Sequence, residues 1–261
     1  MAHPSWPKSL RIDARAHLGG KGAGADSAAP QAAASLAERA PEFATYAILS
    51  NNAYRRERPF PLPQDWFEAM DKRFDDGKGL AYAVFERRMD DRVTEAVVAF
   101  RGTDDAKDWV QNVTPFHDQT QPAEDAFRAI ASYYRGKGAG TYATGHSLGG
   151  GLALHMAFKI RDATVKAIAF NSSPVVDAGD DPYLGNPRTS IWESGEVLEP
   201  IRKLEGKMRY EWRGTEFIEV NFDKNDSPLK QHKMEPLAYN LVRLAAQYSP
   251  PFQEVLRDLS G

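Results

Sequence analysis

Residues Gly145-His146-Ser147-Leu148-Gly149 form a G-x-S-x-G pentapeptide. A serine hydroxyl is a weak nucleophile at neutral pH, so to attack a carbonyl it must stand clear, within reach of a base and of donors for an oxyanion. The flanking sequence predicts such a setting. Thr141-Tyr142-Ala143-Thr144 is a β-prone run, and Leu148 to Arg161 carries helical apolar periodicity. A sharp strand-to-helix turn would lift Ser147 out of a sheet, and glycines two residues to either side let neighbouring backbone approach. The competing reading is a helix N-terminus at which Ser147 is only a cap. The strand before it, and Gly150-Gly151 after it, favour the nucleophile.

Acyl transfer also needs a histidine to carry the proton, a carboxylate to orient it and donors for the tetrahedral oxyanion. Nucleophile, acid and histidine are expected in that order along the chain. After Ser147 only His155 and His232 remain. His155 lies two turns into the helix that follows the serine and is expected to be a packed or surface residue. His232 closes Asp226-Ser-Pro-Leu-Lys-Gln-His232, a loop before a helix, and is the expected general base; it would act as the neutral imidazole, so acid would stop it. Glu193, Glu196, Glu199, Asp223 and Asp226 all lie between serine and histidine. Glu196, in a Gly195-Glu196-Val197 turn, is favoured as the acid. Asp223 and Asp226 are its rivals, in a segment whose Asn225, Ser227 and Pro228 suit turn-capping aspartates. For the oxyanion, the N–H of Leu148 opens the helix, and Thr103 follows Phe100-Arg101-Gly102 at a strand end, where glycine permits close approach.

The elements that must hold these residues can be read from periodicity. A helix is expected over Pro41 to Tyr54, then an extended crossing at Pro59 to Pro63. Strands at Leu80 to Arg87 and Thr94 to Phe100 read as a hairpin through Met89-Asp90-Asp91-Arg92. Ala123 to Tyr134 reads as a helix, followed by a glycine turn at 136–140. Strands are expected at Val165 to Phe170 and Arg188 to Trp192. Arg209 to Phe222 alternates like a strand pair or one bent strand, and Met234 to Gln247 reads as a helix. Strands alternating with helices indicate an α/β class with a mostly parallel central sheet covered by helices on both faces.

The length suits one large domain at 41–261, preceded at 1–40 by an Ala-, Gly-, Ser- and Pro-rich flexible arm with a short helix at Pro30 to Arg39. Gly-Lys-Gly-Ala-Gly occurs at 20–24 and again at 136–140. Neither copy has the Ser or Thr that a P-loop places after Gly-Lys, so a linker and a turn are the reading. A net charge of -3 argues against nucleic acid as a ligand. The absence of cysteine excludes disulfides, a thiol nucleophile and a thiolate metal site. Neither a bilayer-spanning run nor the apolar core of a secretory signal is seen, so the expected location is cytoplasmic, with signal-less export as the alternative.

Val98-Ala-Phe-Arg-Gly-Thr103, then Asp108-Trp109, then Thr144-Gly-His-Ser-Leu-Gly-Gly150 and a late His232 resemble the class 3 lipases, the family of fungal triacylglycerol lipases and their bacterial relatives. Leu49-Ser50 to Tyr54 and Gly79-Leu80 resemble that family's start, so the likeness covers roughly residues 42 to 245. The resemblance implies an α/β-hydrolase fold, an oxyanion contribution from Thr103 and a lid over Asp104 to Trp109, here short and charged. The acid position carries Glu196 where the family usually has aspartate. The function expected is a serine carboxylic-ester hydrolase acting through an acyl-enzyme on acylglycerol or other lipid esters, in contact with a lipid surface. It implies no metal or organic cofactor. One alternative is a phospholipase A-type enzyme or bacterial lipase effector acting on membrane lipid. A second, of a different class, is a non-catalytic hydrolase-fold binding protein.

Overall fold

The alternation over residues 81–100 folds as a hairpin of β4 (Ala81–Met89) and β5 (Arg92–Phe100), joined across Asp90 and Asp91. Both turn residues have positive φ, 48° and 61°, which matches the right-handed twist of the flanking strands. Away from its exposed turn, both faces of this hairpin are buried. Ala83, Phe85, Val97 and Ala99 face one core; Val84, Ala96, Val98 and Phe100 face the other. The hairpin therefore lies in the middle of a three-layer molecule. The computed structural model describes residues 15–18, 36–54, 57–102, 115–161, 164–173, 182–204, 214–222 and 226–260.

From β5 onward the sheet is parallel. β6 (Gly140–His146), β7 (Ala167–Phe170), β8 (Arg188–Glu193) and β9 (Thr215–Val220) add in chain order, each parallel to the one before. Antiparallel strands close both edges: β1 (Arg15–Leu18) beside β9, with β2 (Trp66–Glu68) and β3 (Phe74–Asp75) beside β4. The helices are α1 (Ala40–Asn52), α2 (Pro115–Arg135), α3 (Leu148–Lys159), α4 (Glu199–Leu204), α5 (Pro228–Gln231), α6 (Met234–Ala245) and α7 (Pro250–Ser260). On one face α1, α6 and α7 bury Phe43, Tyr46, Leu241 and Phe252 against the sheet; on the other α2 and α3 bury Phe127, Tyr134, Leu152 and Phe158. This is an α/β-hydrolase fold, as the resemblance implies. Its five parallel strands point their carboxyl ends the same way, the edge where open α/β sheets bind ligands.

Several boundaries differ from expectation. α2 starts at Pro115 rather than near Ala123 and runs through Pro122. A proline interrupts the helical ladder by one donor, but the turns on either side carry the helix across it. Of Arg209 to Phe222, Thr215–Val220 is one strand paired on both sides, and residues 205–213 lie outside the described residues. Periodicity also missed β2, β3 and α7, the first two too short to show it. Within 1–40, Arg15–Leu18 pair with β9, and residues 36–40 lead into α1 with Leu36 fully buried. Residues 1–14 and 19–35 are outside the described residues, the first Gly-Lys-Gly copy among them. The second copy closes α2 as a turn, with Gly138 at φ 78°.

Candidate active site

β6 delivers the chain to Ser147, and α3 leaves from it. Between them Ser147 takes φ 56° and ψ −123°, a strained conformation for a residue with a Cβ. Such strain persists only where the surroundings over-determine it. Here the Ser147 N–H donates to the Phe170 carbonyl at 3.1 Å, while the Ser147 carbonyl accepts from the N–H of Ser173 at 2.8 Å. The glycines make the turn possible. A Cβ on Gly145 would overlap the Gly149 backbone, one on Gly149 would overlap the Phe100 carbonyl, and one on Gly150 would press on Ser172. The capping reading fails, because the Ser147 side chain makes no cap hydrogen bond to α3.

Ser147 Oγ lies 3.1 Å from His232 Nε2, and His232 Nδ1 lies 2.6 Å from Glu196 Oε2. All three residues are buried, Glu196 completely. With a carboxylate facing Nδ1, that nitrogen carries the proton, which leaves Nε2 to accept from the serine hydroxyl. His232 caps the one-turn helix α5, its N–H donating to the Pro228 carbonyl at 3.1 Å. The same carbonyl accepts from Val197 N–H at 3.2 Å, so the acid turn and the histidine loop are tied by backbone.

Four of the five candidate acids can be compared. Glu193, at the end of β8, and Glu196 and Glu199 after it are all buried, and each carboxylate accepts a backbone N–H: Glu193 from Phe222, Glu196 from Leu198 and Glu199 from Gly195. Glu196 also reaches an imidazole, that of His232. Gly195, at φ 85°, makes the sharp turn that carries Glu196 back toward the histidine. Asp226 is exposed beside Lys230 at 3.7 Å, and Asp223 lies outside the described residues. His155 is a packed residue of α3, buried and 3.6 Å from Glu124.

A model of a phospholipase-like family, the Tle-like phospholipase domain, matches residues 45–177. The chain belongs to this family. Membership places it among the lipase- and phospholipase-like hydrolases of lipid esters, in line with the lipase-like resemblance of its motifs. The span matched to the Tle-like phospholipase domain takes in α1 from Thr45, the β4–β5 hairpin, Ser147 and the end of β7. It stops before Glu196 and His232, which the fold supplies from beyond it. Lipase II from Rhizopus niveus is similar in structure, with a TM-score of 0.49 and 14% identity over 64% of this chain and 76% of that one. No curated protein matches the chain.

In this Tle-like phospholipase domain the oxyanion donors proposed from sequence are half in view. Leu148 opens α3, so its N–H is among those that helix geometry leaves without an intrahelical partner. Thr103, and the Asp104 to Trp109 segment implied to be a lid, lie outside the described residues. The chain is next to the serine at Gly102, where a Cβ would come within 3.1 Å of Ser147 Cβ. Sequence reasoning missed Asn171. Its Oδ1 accepts from Glu193 N–H at 2.8 Å, and its Nδ2 donates to the carbonyls of Gln231 at 3.0 Å and His232 at 3.2 Å. Asn171 thus staples the histidine loop to the end of the sheet. The available signal was an asparagine directly after a parallel strand, at the edge where sites form.

Proposed function

We propose that the chain is a serine carboxylic-ester hydrolase that cleaves lipid acyl esters through an acyl-enzyme. Ser147 is the nucleophile, His232 the general base and then acid, and Glu196 the orienting carboxylate. The observation that carries this reading is the hydrogen-bonded line from Ser147 Oγ through His232 to Glu196, built from three separate elements. As Oγ attacks the ester carbonyl, Nε2 takes its proton, and Glu196 stabilises the resulting imidazolium. The tetrahedral oxyanion is held by the N–H groups of Leu148 and Thr103, each such donor being worth about 3 kcal/mol. Collapse returns the proton to the leaving alcohol, and water, activated by the same nitrogen, releases the fatty acid. A binding module would have no use for a serine in a strained turn hydrogen-bonded to a histidine.

The family match supports acyl esters of phospholipid over triacylglycerol as the substrate. The test is fatty-acid release from phosphatidylcholine vesicles and from p-nitrophenyl esters, acetate to palmitate, with Ser147→Ala as blank. Serine-dependent release from the vesicles is expected. Turnover confined to the p-nitrophenyl esters would move the substrate to neutral esters. A folded protein that neither turns over nor takes a fluorophosphonate label on Ser147 would overturn the reading.

A further inference from the structure

His146, the first of the two variable residues of the pentapeptide, does not face solvent. Its Nε2 lies 2.5 Å from the His232 carbonyl, and its Nδ1 lies 2.8 Å from the Tyr54 hydroxyl. A carbonyl can only accept, so Nε2 carries the hydrogen and Nδ1 is the acceptor. With His146 neutral, Tyr54 then donates its hydroxyl proton to it. The Tyr54 oxygen in turn accepts the N–H of Gly102 at 3.1 Å. For the neutral imidazole the bonds run in one direction: Gly102 N–H to Tyr54 O, Tyr54 O–H to His146 Nδ1, His146 Nε2–H to the His232 carbonyl. Both side chains are buried, and the imidazoles of His146 and His232 lie 4.9 Å apart between centroids.

We infer that Tyr54 and His146 are positioning residues that lock the Gly102 strand end, the nucleophile turn and the histidine loop into one register. The inference rests on the serine-hydrolase reading above. The line joins residues from α1's end, β5's end, β6's end and the loop after α5, which are the places a productive geometry must align. Gly102 passes close enough that a Cβ there would collide with both the Tyr54 hydroxyl and the His146 carbonyl. Without the Tyr54 hydroxyl, Gly102 N–H and His146 Nδ1 lose the bonds that set their spacing. His146 would then lose one of the bonds that set its tilt, and it is tied to the His232 main chain through Nε2. A misplacement of about 1 Å is enough to cost a hundredfold in rate.

The experiment first counts active sites in the full chain with a fluorophosphonate, using Ser147→Ala as the blank. A folded wild type that takes no label overturns the serine-hydrolase reading and this inference with it. With labelling in hand, Tyr54→Phe is expected to lower kcat per labelled site about tenfold with KM within about twofold of wild type. Wild-type kcat, or a change in KM alone, would overturn the assignment. His146→Phe is expected to fall at least as far, and His146→Gln to recover part of the loss, because its amide can still donate to the His232 carbonyl. Adding Tyr54→Phe to His146→Phe should cost no more than about threefold further, since the relay is already cut. A second full tenfold loss would mean that the two side chains act separately. Tyr54→Phe removes one oxygen and keeps the ring, so it remains a complete test if the change at His146 impairs folding.

Discussion

Glu196, in the turn after β8, and Glu86, in β4, are both buried carboxylates, and each accepts a 2.6 Å hydrogen bond from a ring: the imidazole of His232 for Glu196, the phenol of Tyr134 for Glu86. Around Glu86 the line ends at that phenol. Burial, then the hydrogen bond to the carboxylate, pushes the Tyr134 hydroxyl far up, so its proton stays put at any working pH. Burial alone would raise Glu86, but the bonds from Tyr134 and Arg88 overcome it and hold the carboxyl below its ordinary range. Around Glu196 the line continues, because imidazole has a second nitrogen that faces Ser147. A short bond to a buried carboxylate is common to both regions. What separates them is a ring that can accept on one side while donating on the other, placed at the carboxyl edge of the sheet.

The comparison breaks most visibly at the serine. Ser147→Ala should lower kcat by about a millionfold, to a rate set by binding and the oxyanion site alone. A residual rate within tenfold of wild type would place the nucleophile elsewhere. Glu196→Gln comes next, with a loss of about 10⁴ in kcat and the fold retained, because the amide presents a donor to Nδ1 and favours the wrong tautomer. Equal activity for Glu196→Gln and wild type would erase the difference between the two carboxylates.

How much of this was legible in the chain follows from how local each signal is. Ser147 could be read because its strand, its turn and its helix are contiguous, and the glycines that admit it are within four residues. Glu196 and His232 were proposed from order along the chain and from the turn at Gly195, with Asp223 and Asp226 as rivals; Asp226 is exposed and Asp223 lies outside the described residues. Asn171 and Tyr54 were out of reach. Asn171 acts on a loop some sixty residues away and Tyr54 on a histidine ninety-two residues away, so their roles exist only once the sheet has assembled. The same holds for β2 and β3, which have two or three residues each and form only against β4.

Asn171→Ala should sharpen the contrast from the side of support rather than chemistry. It removes both bonds to the histidine loop and the one to Glu193, so kcat should fall about ten- to a hundredfold with little change in KM. Steady-state kinetics per fluorophosphonate-labelled site would measure it, and an unchanged kcat would mean that the loop is held by its backbone ties and the His146 bond without Asn171.

Glu86→Gln supplies the opposite signature, a loss of stability without a loss of chemistry. A hydrogen-bonded buried carboxylate of this kind is worth about 2 kcal/mol, readable as a shift in the urea midpoint, while kcat per folded molecule stays at the wild-type value. Because the folded carboxyl is held below its ordinary 4.5, the stability it adds is present above that pH and is lost as the pH falls through the lower folded value. The gap between wild type and Glu86→Gln should therefore be full near neutrality and close progressively in acid below about pH 4. A gap that stayed constant down to that range would show that packing around Tyr134, and not the ionised carboxylate, stabilises this flank. The two carboxylates would then differ in what they contribute as well as in partner.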